Sequence, residues 1–198
     1  MPLHALRRGA IGGTWSGGDG SDDQGFTGPM KTEFRFCPNC GAALRLRQIE
    51  GRDLPACSNC DFVAWKGPKV ATALIASDPE GRLLVIRRGI SPGLGGWAFP
   101  GGYVDDDEDP AFGAARECRE ETGCDAQVEE LAGVFHVVTE EGGLVVLAYR
   151  GRLTAGEPTP TPEAPELGCF DPGHLPELVF SSHRRAFAAW QAASSRAS

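Results

Sequence analysis

The sequence predicts an α/β fold with a mixed sheet, preceded by a small cysteine-rich module. From Lys69 onward, apolar runs of strand length alternate with one sharply bounded helical segment at residues 110–122. Before that point, residues 34–66 carry four cysteines and little apolar mass. The chain has 198 residues, of which 41% are hydrophobic, so its length suffices for one ordinary domain and a small module.

Charge and apolar patterning exclude several function classes. The formal net charge is -8, and an acidic protein repels nucleic-acid backbones, so nucleic acid is an unlikely main partner. No apolar run approaches the roughly 18–20 residues that cross a bilayer. Arg7 and Arg8 are not followed by an apolar stretch, which argues against a secretory signal. We therefore expect a cytoplasmic protein with no membrane partner.

The first thirty residues are rich in Gly, Ser and Asp and show no periodicity. Such a segment buries too little apolar surface to offset its ordering entropy, so residues 1–30 are predicted to be a disordered extension. An alternative is that Met30 is the true start, directly ahead of the cysteine-rich module.

The four cysteines form two CxxC pairs separated by 16 residues: Cys37, Cys40, Cys57 and Cys60. Two such knuckles complete a thiolate tetrahedron around Zn²⁺, and four cysteines leave no open position, so a structural zinc ribbon is predicted over residues 34–66. Disulfides and redox chemistry are the less favoured alternatives in a cytoplasmic setting. The alternating stretch Leu44–Ile49 and the short stretch Phe62–Trp65 are the two predicted strands.

The second part of the chain begins with a buried strand at Val70–Ala76, a turn at 78–81 and a return strand at Leu83–Ile86. A short strand at Trp97–Phe99 runs into Pro100-Gly101-Gly102. The later predicted strands are Val128–Val138, Leu144–Leu153 and Leu167–Phe170, with a turn at Glu140–Gly143 between the first two. Trp97 is predicted to have a core or dimer role, with base stacking as the alternative.

Two helices are predicted from end signals. Asp109 is an N-cap followed by proline at the first helical position, and the helix runs to about Thr122 before Gly123. The C-terminal helix is predicted at Ser182–Ala193, with Ser181 or Ser182 as its cap.

The first helix carries Glu117, Glu120 and Glu121, whose spacing of three and four places them on one face. Like charges at that spacing destabilise a helix, and a Mg²⁺ ion, which prefers hard oxygen ligands, removes the repulsion. Arg116 lies four residues before Glu120 and can orient a carboxylate. Gly102 allows close backbone approach, and its carbonyl is a candidate further ligand.

These residues form part of a longer pattern, which reads Gly102-x5-Glu108-x7-Arg116-Glu117-Cys118-Arg119-Glu120-Glu121-Thr122-Gly123-Cys124. It resembles the signature of the Nudix hydrolase family, G-x5-E-x7-R-E-U-x-E-E-x-G-U, with U a bulky aliphatic residue. Both U positions are cysteine here, a small hydrophobe that can pack in their place. The resemblance covers about residues 69–195 and implies an α/β/α sandwich with a mixed sheet, assigned to residues 67–196.

The resemblance also implies the chemistry: hydrolysis of the diphosphate linkage of a nucleoside diphosphate derivative with Mg²⁺ (or Mn²⁺). By position, Glu117 and Glu121 would bind the metal with Glu120 as a third ligand, and Arg116 and Glu108 would hold the loop–helix–loop in shape. The catalytic set is then Glu117, Glu120 and Arg116. The general base is left open among these glutamates: Glu163, Glu166, Glu140, Glu141 and Glu117 itself.

A ribbon ahead of this domain resembles the NAD(H) pyrophosphatase branch, but the S-Q-P-W-P-F-P-x-S motif of that branch is absent from residues 131–141. The layout is more similar to short ribbon-Nudix proteins that cut ADP-ribose or FAD. Arg87, Arg88 and Glu163 are the predicted substrate contacts. NAD(H) hydrolysis, a homodimer and a ligand-sensing, nucleic-acid-binding regulator remain alternatives, the last because of the ribbon arginines Arg35, Arg45, Arg47 and Arg52.

Overall fold

The computed structural model describes residues 34–139 and 142–197. The predicted disordered extension at 1–30 and the candidate bases Glu140 and Glu141 lie outside the described residues. The described part contains a two-stranded sheet and a six-stranded mixed sheet with a helix on each face. The predicted α/β class with a small preceding cysteine module is confirmed.

The two-stranded sheet is an antiparallel hairpin of β1 (Leu44–Ile49) and β2 (Arg52–Cys57). Its two-residue turn, Glu50-Gly51, has positive φ at both positions, the turn type that matches the twist of a hairpin. The prediction of the second strand at Phe62–Trp65 was therefore wrong. Only Val63 of that stretch forms a bridge, with Ala56. The strand beside β1 is instead Arg52–Cys57, because the Glu50-Gly51 turn brings that segment back along β1.

The large sheet contains six strands in the order β5-β4-β3-β7-β6, with β8 pairing on β4. The strands are β3 (Lys69–Ser77), β4 (Leu83–Arg87), β5 (Trp97–Ala98), β6 (Asp125–Thr139), β7 (Gly142–Ala155) and β8 (Glu166–Phe170). β3 and β7 are parallel, and the other pairs are antiparallel. β3 reads as a continuous apolar run because it is central and covered on both faces.

β3 and β4 separate soon after their turn, and this separation positions the glycine loop. They pair only at Ser77↔Leu83, and residues 100–104 pair with the other half of β3. The amide of Leu74 donates to the Pro100 carbonyl (2.8 Å), and the amide of Thr72 donates to the Gly102 carbonyl (2.8 Å). A Cβ on Gly101 would collide with the β3 backbone at Thr72, so this approach requires glycine.

The helices are α1 (Pro110–Thr122) and α2 (Ser181–Ala197), so α2 is longer than predicted. The α1 boundaries match the expected signals: the Asp109 carboxylate accepts from the Ala111 amide at 2.8 Å, and Gly123 has φ 73°. A single 3₁₀ turn at Pro172–His174 follows β8. Within the described ranges, no helix combines the length and apolarity needed to cross a bilayer.

Each face of the sheet has its own core. The face under α1 buries these residues: Leu74, Ala76, Leu84, Ala114, Cys118 and Cys124. The opposite face, under α2, is larger and includes Ile75, Val85 and Phe99. Cys118 and Cys124 are almost fully buried, so the two cysteines that depart from the family signature serve as packing residues.

Candidate active site and zinc site

Arg116 is the centre of an ion-pair network near the end of the second turn of α1. Its guanidinium donates to both oxygens of Glu108, at 2.8 and 2.9 Å, in a fork that only arginine can form. One Nη also donates to Glu117 at 2.9 Å and to Glu120 at 3.0 Å. The other Nη reaches the Tyr103 carbonyl at 3.2 Å. Arg116 therefore ties the loop before α1 to two of its glutamates.

Glu117 faces the glycine loop. A Cβ on Gly102 would lie 2.5 Å from a Glu117 carboxylate oxygen, so only glycine leaves room for this carboxylate. Burial raises the pKa of Glu117 above its ordinary value. The negative charges of Glu120 and Glu163 raise it further, and Arg116 opposes the shift.

Glu121 lies deeper than the other two glutamates and is 5% exposed. Its carboxylate accepts from the Gly101 amide at 2.9 Å, which links α1 to the same loop. Burial raises the pKa of Glu121 to about 7, and the nearby charges of Glu117 and Glu163 also raise it. The Gly101 amide and the positive charge of Arg88 partly offset this shift.

The three glutamates line one cavity of about 350 Å³ together with the loop Thr161-Pro162-Glu163. Two bonds fix this loop: the Thr161 hydroxyl donates to the Glu121 carbonyl at 3.1 Å, and the Gly89 amide donates to the Glu163 carbonyl at 2.7 Å. Glu163 thus lies opposite α1, and its charge affects both Glu117 and Glu121. The fold brings four carboxylates from two segments to one cavity.

This arrangement fits a divalent cation of the magnesium type. The donors are hard carboxylate oxygens, and their mutual repulsion is the unfavourable term that a cation would remove. The oxygens are not drawn together as tightly as in a closed metal cage. Arg116 holds Glu117 and Glu120, and the Gly101 amide holds Glu121. The Gly102 carbonyl already accepts from Thr72, and one lone pair remains for a ligand.

The two adjacent arginines after β4 have different surroundings. Arg87 donates to the Gly95 carbonyl and pairs with Glu166, both at 2.9 Å. Arg88 stacks on the Phe180 ring at 5.2 Å and is close enough for its charge to lower the pKa of Glu121. Arg88 is therefore close to the carboxylate cavity. Arg87 instead pairs with Glu166, and neither arginine is among the residues that line that cavity.

The four cysteines of the ribbon form a second cluster. Their Sγ atoms all lie within 4.8 Å of one another, and they are the one such group of three or more metal-ligating side chains in the described ranges. The Sγ separations are 3.5 Å for Cys37–Cys60 and for Cys40–Cys57, and 3.8 Å for Cys40–Cys60. A zinc tetrahedron with Zn–S bonds of about 2.3 Å has edges of about 3.8 Å. The Asn59 amide donates to the Cys57 Sγ at 3.3 Å, a hydrogen bond that favours the metal-binding thiolate.

Several contacts at the site had no signal in the sequence. His183, to which the sequence assigned no role, is buried and its Nδ1 accepts from the Phe99 amide at 3.1 Å, which fastens α2 to the strand before the glycine loop. The Tyr103 carbonyl and the Thr161 hydroxyl also had none. Trp97 packs edge-on against Phe170 and the α2-side core, in line with the predicted core role.

Comparison with known proteins agrees with this geometry. The model of the NUDIX domain family matches residues 67–191, which is more than half of the chain. The chain belongs to the Nudix family. A MutT-like protein of Streptomyces ambofaciens is 36% identical over 110 residues, 56% of this chain and 68% of that protein. An ADP-ribose pyrophosphatase of Methanocaldococcus jannaschii is 29% identical over 109 residues, 54% of this chain and 64% of its own length, slightly under two thirds.

Among solved structures, a NUDIX hydrolase from Nitrosomonas europaea is similar with a TM-score of 0.69 and 29% identity, over 77% of this chain and 88% of that chain. This Nudix protein retains every charged residue and both glycines of the family signature, from Gly102 to Gly123. Family and signature together make it a Nudix pyrophosphohydrolase.

Proposed function

We propose that this Nudix protein hydrolyses the diphosphate linkage of a nucleoside diphosphate derivative, with ADP-ribose or FAD as the favoured substrate. The cofactor is Mg²⁺ or Mn²⁺ at the glutamates of α1, and zinc is the structural metal of the ribbon. The proposal includes a cytoplasmic setting, where thiols stay reduced and available to zinc. The observation that carries it is the single cavity lined by Glu117, Glu120, Glu121 and Glu163.

The division of labour among the residues follows from their contacts. Magnesium, when bound, would neutralise charge on the diphosphate oxygens and activate water for attack. Glu117, Glu120 and Glu121 would hold the cation, and the Gly102 carbonyl would be a further donor. Arg116 holds Glu117 and Glu120 through one Nη. Glu108 fixes the guanidinium of Arg116 by accepting from its Nε.

Glu163 is our candidate for the general base. It lies across the cavity from α1. Its backbone carbonyl accepts a hydrogen bond from the Gly89 amide, which fixes the position of the backbone that carries the side chain. A carboxylate there can accept the proton of a water that attacks phosphorus. Glu166, the other described loop-side candidate, pairs with Arg87 and does not line the cavity. Arg88, stacked on Phe180, is the better placed of the two arginines to contact substrate phosphate.

The preference for ADP-ribose or FAD rests on two observations. The relative from Methanocaldococcus jannaschii is named an ADP-ribose pyrophosphatase. The sequence lacks the motif of the NAD(H) pyrophosphatase branch at residues 131–141. NADH therefore serves as the comparison substrate.

The test is a panel assay for Mg²⁺-dependent release of AMP from ADP-ribose, FAD and NADH. We expect turnover of ADP-ribose or FAD, and a loss of several orders of magnitude in Glu121→Gln with the fold intact. Glu80→Gln is the matched control, because Glu80 is exposed in the β3–β4 turn and does not line the cavity. Absence of turnover on every diphosphate, together with tight nucleic-acid binding, would instead favour a regulatory protein.

A further inference from the structure

A second cavity of the described molecule lies outside the carboxylate site. It is a cleft of about 690 Å³ between the zinc ribbon and the edge of the large sheet. The ribbon side contributes Leu54, Pro55 and Trp65, and the sheet side contributes Tyr103 and His136. Because two separately folded pieces form its walls, the cleft exists only where the ribbon sits against the Nudix domain.

Three aromatic rings that line this cleft are largely exposed, namely Phe34, Trp65 and Tyr103. Trp65 is 57% exposed and Tyr103 is 53% exposed. The other aromatic residue with a proposed binding role, Trp97, packs against Phe170 instead. Large ring surfaces left open inside a concave site are available to stack on a planar ligand.

The charge at the cleft also differs from that of the whole chain. The chain carries a net charge of -8, yet Lys66 and Lys69 line the cleft, and Asp53 is the one acidic side chain among the described lining residues. The Lys69 ammonium lies 5.1 Å from the centre of the Tyr103 ring. Aromatic faces beside positive charge suit a planar ring that carries phosphate, as nucleotides do.

The cleft is joined to the carboxylate site through the backbone of Tyr103. Its carbonyl accepts from Arg116 at 3.2 Å, and the same guanidinium holds Glu117 at 2.9 Å. Tyr103 also follows Gly102 directly in the chain. A ligand with its diphosphate at the glutamates and its ring in the cleft would pass Tyr103.

We propose that this ribbon–sheet cleft binds the aromatic ring system of the nucleotide substrate, with Trp65 and Tyr103 stacking on the ring. This inference rests on the proposed diphosphate hydrolysis and names the part of the molecule that selects the substrate. Trp65 lies outside the family match at 67–191, so the ribbon contributes directly to specificity in addition to its structural role.

The test compares Trp65→Ala with Trp65→Phe, which keeps a ring, in the full-length zinc-loaded protein. Phe36→Ala is the control, because Phe36 is an equally exposed ribbon aromatic that does not line the cleft. KM and kcat are measured with FAD and ADP-ribose, and binding of FMN and AMP is titrated by fluorescence without turnover. Zinc content and circular dichroism verify the fold.

We expect Trp65→Ala to raise KM and the FMN or AMP dissociation constant about tenfold, as the loss of one stacking contact does, with kcat unchanged. Trp65→Phe should recover most of the affinity, and Phe36→Ala should match the parent protein. Unchanged KM and nucleotide binding in Trp65→Ala would overturn the cleft as the ring site and leave the hydrolase intact. If the parent protein cleaves no diphosphate, the proposed function fails, and the FMN and AMP titrations alone decide: Trp65-dependent binding supports the cleft, and its absence overturns it.

Discussion

Acidification should weaken this protein through His183. The ring is buried between α2 and the strand that leads to the glycine loop, 5.9 Å from Phe99 and 5.1 Å from Phe180. Burial, with a smaller contribution from the charge of Arg88, lowers the pKa of His183 to about 4 from an ordinary value of 6.5. The neutral ring also accepts the Phe99 amide at Nδ1, which a protonated ring cannot do.

The sign follows from the depressed value. Above pH 6.5 the ring is neutral in both folded and unfolded states, and its contribution is fully present. Between pH 6.5 and about 4 the unfolded chain binds a proton that the folded protein excludes, so stability falls with pH. A shift of about 2.5 units corresponds to about 3 kcal/mol, with about 1.4 kcal/mol lost per pH unit at the steepest.

Urea unfolding of the parent protein and of His183→Asn, at several pH values from 7.5 to 4.5, measures this contribution. Asparagine keeps an acceptor for the Phe99 amide and does not titrate, so its stability should depend less on pH by about 2–3 kcal/mol over that range. The difference between the two proteins cancels the titration of the groups that they share. Parallel pH profiles for the two proteins would refute the assignment.

Three further predictions concern the loop, the guanidinium and the ribbon. Gly102→Ala should lower turnover at least tenfold, because its Cβ would lie 2.5 Å from the Glu117 carboxylate. Arg116→Lys should lower kcat by about tenfold or more with little unfolding, because lysine cannot contact Glu108, Glu117 and Glu120 together. Cys40→Ser should lower the zinc content and the thermal midpoint, since one of four thiolates is lost.

Matched variants make each of these informative. Gly173→Ala is the control for Gly102→Ala, because no atom lies within 4 Å of its Cβ position and its φ is outside the left-handed region. Arg82→Lys, at an ion pair with Asp78 in the β3–β4 turn, is the control for Arg116→Lys. Wild-type rates in Gly102→Ala or Arg116→Lys would remove those residues from the site. Full zinc occupancy in Cys40→Ser would contradict the tetrahedral assignment.

The helix with its carboxylates was predictable because its determinants are local. Asp109, Pro110 and Gly123 set the ends of α1, and the spacing of Glu117, Glu120 and Glu121 sets their common side. Local rules could not place residues 100–104 beside β3, because both this segment and β4 can pair with the same edge of β3. The sequence suggested an ordinary hairpin, and the structure shows the two strands joined at one pair.

The sequence also could not assign different roles to neighbouring residues of the same type. Arg87 and Arg88 were equal candidates, and the structure gives Arg87 a carboxylate partner in Glu166, 79 residues away. The second ribbon strand was misplaced because Asp53 and Pro55 interrupt the alternation expected of a strand. The ribbon–sheet cleft had no local signal, since it depends on how two folded pieces meet.

The central claim is that the glutamates of α1 hold the divalent ion on which hydrolysis depends. Mn²⁺ binding, followed by electron paramagnetic resonance, tests this directly in the parent protein, in Glu121→Gln and in the Glu80→Gln control. We predict that Glu121→Gln weakens Mn²⁺ binding at least tenfold and loses AMP release in parallel, whereas Glu80→Gln changes neither. A Glu121→Gln protein that binds Mn²⁺ and releases AMP as the parent does would contradict the account.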